Sequence, residues 1–282
     1  MIVPVMKDSV LAADVRAALA RPGELHVWWL GQSGFLVQWQ GRHLLFDPYL
    51  SDSLTRKYAA TDKPHTRMTE LVIPPDKLDF IDVVTSSHNH TDHLDAETLV
   101  PLFAVNPALR LIAPAANRGF IAERLGRPMD DPAIIGLDDG TEACVAGFTF
   151  TGMPAAHESL DQDEQGRHRY LGYIVRFGPW TLYHSGDTMD YPGLAGRLSK
   201  ERVNLAFLPI NGRAPERRVA GNLSGPEAAR IARQGGIGTV IPCHYEMFSF
   251  NTASPDAFVR ECTRLGQSHK VLRAGERLDL KP

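Results

Sequence analysis

Residues 88–93 read His-Asn-His-Thr-Asp-His, and this short run restricts what the rest of the chain can be. A period of two puts the His88 and His90 imidazoles on one side of an extended segment. Thr91-Asp92-His93 then turns, so that two further donors reach the same space. Four candidate metal ligands within six residues are a rare accident: with 11 His in 282 residues, a chance occurrence is on the order of 0.001. The competing reading is a polar loop rich in hydrogen-bonding residues. It is the weaker one, because so many titratable groups side by side need a cation or water to be tolerated.

Two-metal chemistry takes about six or seven ligands, so other parts of the chain have to supply the remainder from the ends of rigid elements. Hydrophobic patterning supplies candidate elements. Strands are expected at His26–Leu30, Gly34–Trp39 and His43–Asp47, then at Asp82–Ser87, Arg110–Ala113, near Ile134 and Phe148, and at Tyr170–Phe177, Thr181–His184, Leu205–Pro209 and Thr239–Pro242. Helices are expected at Asp95–Val105, Asn117–Leu125, Pro226–Gln234 and Pro255–Leu265. Ser224 with Glu227 three residues later forms a capping box that sets the start of the third of these. Pro48–Lys77 is polar and reads as a long surface excursion, of the kind that carries binding residues or a lid. His157, Asp187 and His244 each follow a predicted strand. A lone His in a loop is more often an ordinary polar residue, but the shared position after a strand raises all three together.

Composition adds bounds. Hydrophobic residues make up 43% and charged residues 22%, ordinary for a globular chain, and the length suits one domain over 1–282. The net charge of −3 argues against a nucleic-acid partner, which needs a basic face. No apolar run is long enough for a membrane span, and the N-terminal residues lack a leader pattern, so a cytoplasmic location is expected. Cys144, Cys243 and Cys262 match no thiolate metal motif and are expected to be reduced.

The ordered set His88-Asn89-His90-Thr91-Asp92-His93, His157, Gly186-Asp187-Thr188 and His244 resembles the five-part signature of the metallo-β-lactamase fold superfamily, over a span from Trp29 to His244. The resemblance implies an α+β fold, a four-layer αββα sandwich with metals at one edge. It implies one metal held by His88, His90 and His157, a second held by Asp92, His93 and His244, and Asp187 bridging both. It also implies that Asp47, closing Leu44-Leu45-Phe46-Asp47, supports the ligands from behind. Imidazole and carboxylate donors without thiolate suit two divalent ions, Zn or Mn, with Fe also admitted.

Such a centre makes hydroxide available near neutral pH and polarises a carbonyl or phosphoryl oxygen, with Asp92 placed to orient the nucleophile or take its proton. The segments Leu208–Arg213, Gly221–Ser224 and Pro242–Asn251, with Trp28-Trp29-Leu30-Gly31, resemble the L-ascorbate 6-phosphate lactonase group within the superfamily. This implies a small-molecule substrate, expected to be a phosphorylated sugar-acid lactone. Asn211 and Tyr245 are the candidate oxyanion donors, and Arg213 and Asn222 the candidate substrate contacts. Arg217 and Arg218 read more readily as a solvated turn. His184 reads as packing, and His65 and His168 as solvated; Lys57, Tyr58 and His65 are also placed where they could meet substrate. A phosphodiesterase of phospholipase D type and a non-catalytic metal- or metabolite-binding protein are the alternatives, the latter weakened by the retention of Asp92 and Asp187. Edge strands leave room for a homo-oligomer.

Overall fold

The computed structural model describes residues 1–282. Its strands are β1 (Leu25–Gly31), β2 (Gly34–Trp39), β3 (Arg42–Phe46), β4 (Val83–Thr85), β5 (Arg110–Pro114), β6 (Ile134–Leu137), β7 (Glu142–Val145), β8 (Phe148–Pro154), β9 (Leu171–Phe177), β10 (Trp180–His184), β11 (Leu205–Pro209), β12 (Thr239–Cys243) and β13 (Arg277–Leu280). Its helices are α1 (Asp8–Ala18), α2 (Ser53–Tyr58), α3 (Ala96–Val105), α4 (Arg118–Leu125), α5 (Leu194–Glu201), α6 (Gly225–Gln234) and α7 (Asp256–Leu265).

Two mixed sheets form the middle of the molecule, ordered β13-β1-β2-β3-β4-β5-β6 and β12-β11-β10-β9-β8-β7. Parallel neighbours need crossovers. Accordingly α3 links β4 to β5, α4 links β5 to β6, α5 links β10 to β11 and α6 links β11 to β12. Helices therefore lie outside both sheets, giving the expected αββα sandwich. Every residue of β1, β2 and β11 is buried, because each of these strands has an outer layer on one face and the opposing sheet on the other. Phe35 of β2 stacks on Phe207 of β11 with ring centroids 4.1 Å apart, and Phe46 of β3 stacks on His184 of β10 at 4.9 Å. Each fully buried Phe contributes roughly 1.5–3 kcal/mol of transfer free energy. One cluster of 67 buried residues fills the sandwich.

Three hairpin turns, at Gln40-Gly41, Ala146-Gly147 and Gly178, gather at one rim, where they line a common shallow hollow with Trp39 and Phe148. The strands that leave these turns, β3, β8 and β10, run to the opposite rim and end there at Asp47, near His157 and near Asp187.

Five elements were not anticipated from the patterning: α1, α2, α5, β7 and β13. The α1 helix buries Leu11, Ala12, Val15 and Ala18, a helical spacing diluted by a run of small and charged residues. The excursion over 48–77 is not purely surface: it holds α2, and Tyr49 and Leu54 pack with Met247 and Phe248 in a small buried cluster. No helix is long and apolar enough to cross a membrane.

Candidate metal centre

The donors converge because the strands that precede them end on one rim. His88, His90 and His157 form one group, and Asp92, His93, Asp187 and His244 another, with the donor atoms of each group within 4.8 Å of one another. In the first group the ring centroids of His88 and His90 are 4.6 Å apart, and His157 lies 5.3 and 5.0 Å from them. In the second, His93 Nε2 is 3.3 Å from Asp187 Oδ1 and 3.7 Å from Asp92 Oδ2. His244 Nε2 is 3.2 Å from Asp187 Oδ2 and 3.5 Å from Asp92 Oδ2. Asp187 Oδ2 also lies 3.8 Å from His157 Nε2, so this one carboxylate reaches both groups. Its loop can approach the 88–93 loop only because residue 186 is glycine: φ is +58°, and a Cβ there would stand 2.5 Å from the Ser87 Cβ.

The far sides of three of the five imidazoles are tied down. His157 Nδ1 meets the Gly221 carbonyl at 2.9 Å, His88 Nδ1 meets the Ser87 hydroxyl at 3.0 Å, and His93 Nδ1 meets Asp47 Oδ2 at 2.8 Å. Asp47 is fully buried and also accepts from the Thr85 hydroxyl at 2.6 Å and from the Ser87 N–H at 3.0 Å. It thus lies directly behind His93, on the side away from Asp187. Arg124 braces the same loop, donating to the Asn89 and Leu94 carbonyls at 2.7 and 3.1 Å. Nothing in the sequence marked this arginine, since its partners are main-chain atoms 35 and 30 residues away.

These residues fit a pair of divalent cations. His88 Nε2, His93 Nε2 and Asp187 Oδ1 are buried and have no hydrogen-bond partner, a costly state for polar atoms unless a ligand completes them. Burial and the neighbouring imidazoles hold His88 well below its ordinary pKa, which leaves it neutral with a lone pair to offer. Burial opposes charge on Asp92 and Asp187 too, yet His93 and His244 outweigh it and hold both carboxyls below their usual range. His244 is correspondingly pushed up to about 9: burial lowers it, but Asp187 and Asp92 prevail. In the metal-free centre protonated imidazoles balance the carboxylates, so cation binding releases protons.

Both groups open on a cavity of about 420 Å³. Asn222 lines it, as do Lys57, Tyr58 and His65 of the excursion and Phe248 and Phe250 from the chain after His244. His65 is not solvated as expected: it stacks on Tyr58 at 4.1 Å and lies 4.5 Å from Phe250. His168 is engaged by Asp138 at 3.0 Å. His184 bonds the Ser33 carbonyl at 2.9 Å, a packing role. All three cysteines are free.

Three expected substrate-contacting residues are placed otherwise. Arg213 is turned onto the Glu227 carboxylate, at 2.7 and 3.0 Å, beside the start of α6, because Gly212 reverses the chain at φ +70°. Asn211 does not line the cavity. Its amide donates to Asn251 at 3.0 Å and accepts from Asn222 at 3.1 Å, so it orders two residues that do. Tyr245 is buried against Trp29, rings 4.5 Å apart, and its hydroxyl donates to the Leu272 carbonyl at 2.6 Å. It is therefore not free to meet an oxyanion. Replacing Tyr245 by Phe is expected to cost about 1–2 kcal/mol of stability in chemical denaturation and to leave kcat unchanged; a fall in kcat with stability intact would restore the donor role.

The family model of the beta-lactamase superfamily domain matches residues 42–245. A UPF0173 metal-dependent hydrolase of Myxococcus xanthus is 28% identical over 271 residues, covering 93% of this chain and 85% of its own. Among solved structures, a metallo hydrolase of the archaeon Ignicoccus hospitalis aligns with a TM-score of 0.67 at 20% identity, over 92% of this chain and 99% of that one. The isothiocyanate hydrolase from Delia radicum gut bacteria aligns with a TM-score of 0.70 at 17% identity, over 90% of this chain and 98% of that one. Such identities speak to the fold alone. The family match, however, spans most of the sandwich, from β3 to the end of β12 and the residues just beyond it, and takes in every candidate ligand: the chain belongs to the beta-lactamase superfamily domain family and has the metallo-β-lactamase fold.

Proposed function

We propose that this chain is a metal-dependent hydrolase that opens a lactone or ester bond in a small anionic molecule, using two divalent cations. His88, His90 and His157 would hold one, Asp92, His93 and His244 the other, with Asp187 between them. The observation that carries the reading is the cavity itself: both donor groups face it, and its mouth carries Lys57, a cation with no carboxylate partner. That the relatives by sequence are named metal-dependent hydrolases supports the enzyme class.

Bound cations of this kind supply a nucleophile at neutral pH and polarise the bond to be cleaved. The chain's own residues do the rest. Asp92 lines the cavity, where its carboxylate orients the nucleophile or takes its proton. The Tyr58, His65, Phe248 and Phe250 rings form an aromatic wall that excludes water and stacks on a flat or apolar body. Lys57 takes the anionic group.

The expectation of a phosphorylated sugar-acid lactone came from the resemblance of the 208–213, 221–224 and 242–251 segments, with Arg213 as a candidate contact for the phosphate. With Arg213 turned onto Glu227, Lys57 takes over the anion contact, and the aromatic wall broadens the substrate to lactones or esters that carry one anionic group. Lys57→Ala is expected to raise KM for such a substrate by roughly tenfold or more, the worth of one charge-assisted hydrogen bond, with kcat little changed and with neutral esters unaffected. The test of the bond itself is a panel of lactones, carboxylic esters, phosphodiesters and phosphomonoesters, assayed after chelation and reloading with Mn²⁺ or Zn²⁺. Turnover confined to phosphodiesters would overturn the acyl assignment, and turnover by the chelated protein would overturn the metal dependence.

A further inference from the structure

The turn between β1 and β2 brings one residue to the metal rim that no ligand pattern would select. Gln32 is buried, and its backbone sits at φ +49°, an uncommon setting for a residue with a side chain. It is held there from two sides, its carbonyl accepting the Trp29 indole N–H and the His244 N–H, both at 3.0 Å. The side chain ends 2.8 Å from Asp92 Oδ2 and 3.1 Å from His244 Nε2. The other terminal atom, Oε1, is buried without a partner.

Donor atoms that share one divalent cation at about 2.1 Å stand roughly 3 to 3.5 Å from each other. The four donors of the second group keep such spacings, from 3.2 to 3.7 Å. The Gln32 head atom stands slightly closer to two of them, 2.8 Å from Asp92 Oδ2 and 3.1 Å from His244 Nε2. With the nitrogen foremost the amide offers a hydrogen to Asp92 and stands against the His244 Nε2 that a cation would need. Half a turn about χ3 exchanges the two terminal atoms without changing the shape of the side chain. It puts Oε1 at the vertex, where a cation shared with Asp92 and His244 would complete it, and moves the NH2 to the position Oε1 now holds.

We propose that the Gln32 carboxamide oxygen is a fifth donor of the second group, beside Asp92, His93, Asp187 and His244. This rests on the two-cation reading above. It makes the two sites chemically unequal. The first has imidazoles of its own plus the shared Asp187, whereas the second has three oxygens and two imidazoles and so suits a harder ion such as Mn²⁺ or Fe²⁺ better than Zn²⁺.

The experiment titrates metal-free protein with Mn²⁺ by calorimetry and counts bound metal by mass spectrometry, for the wild type, Gln32→Leu and Gln32→Glu. Wild type is expected to take two equivalents. Gln32→Leu is expected to keep the first and to bind the second about tenfold more weakly or worse. Gln32→Glu, which places a carboxylate oxygen at the same vertex, is expected to bind the second as tightly as wild type or more so. Were Gln32 only a hydrogen-bond donor to Asp92, Gln32→Glu would set two carboxylates against each other and weaken that step. A second equivalent bound by Gln32→Leu within about threefold of wild type, or about tenfold more weakly by Gln32→Glu, overturns the proposal. Should Gln32→Leu fail to fold, Gln32→Glu decides alone. A wild-type protein that takes up one equivalent overturns the two-cation reading, and the Gln32 role with it.

Discussion

Asp187→Ala is expected to lower kcat/KM by at least about 10³-fold, equivalent to about 4 kcal/mol of transition-state stabilisation, and to leave the protein unable to hold two cations at once. The Asp187 carboxylate reaches both groups: its two oxygens stand 3.2 and 3.3 Å from His244 and His93, and 3.8 Å from His157. The ligands come from both sheets, His88 to His93 from the loop after β4 and the others from loops after β8, β10 and β12. Losing the residue that joins the two sets costs occupancy and alignment together. Steady-state kinetics paired with metal counts per chain provide the check. A variant that keeps two ions and loses less than about tenfold in rate would show that Asp187 does not bridge.

Asp47→Ala should act through stability more than any other single change at the rim. The carboxylate is wholly buried and serves three donors: the Thr85 hydroxyl, the Ser87 N–H and His93 Nδ1. Removing one partner of a buried charged pair typically costs about 3–5 kcal/mol, and urea denaturation of the metal-free protein should show a loss of that size. Asp47→Asn keeps the shape and one acceptor oxygen for the Ser87 N–H and His93, but not the charge behind His93. It is expected to spare most of the stability while weakening the second cation by about 10- to 100-fold. Equal metal affinity in Asp47→Asn and wild type would mean that the carboxylate serves the fold alone.

The parts of this centre that could be read from sequence share a physical reason. His88, His90, Asp92 and His93 announce themselves because four donors in six residues are hard to explain otherwise, and His157, Asp187 and His244 because each follows an apolar strand. What was misplaced lies where the backbone leaves the extended form. His244 and Glu246 both have positive φ, at 61° and 55°, so alternation along the chain says nothing about where Tyr245 points. Gly212 does the same to Arg213. What was missed depends on contacts far apart in sequence. Gln32 meets His244 across 212 positions, and the aromatic wall is assembled from α2, the 65 region and the 248–250 region. The sandwich itself was largely legible, because strands buried on both faces read as continuous apolar runs. The short, half-buried β7 and β13 carry no such signal.

The gathering of the three hairpin turns on the rim away from the donors gives the molecule a handle. Gly178 is no place to grip, since any Cβ there would stand 2.9 Å from the Trp39 indole nitrogen, whereas a Cβ at Gly147 meets nothing within 4 Å. A tether or reporter peptide spliced in at the Ala146-Gly147 turn would anchor the protein to a surface by its inert end. The cavity mouth would then face the solution, every molecule presented in the same orientation to whatever diffuses past.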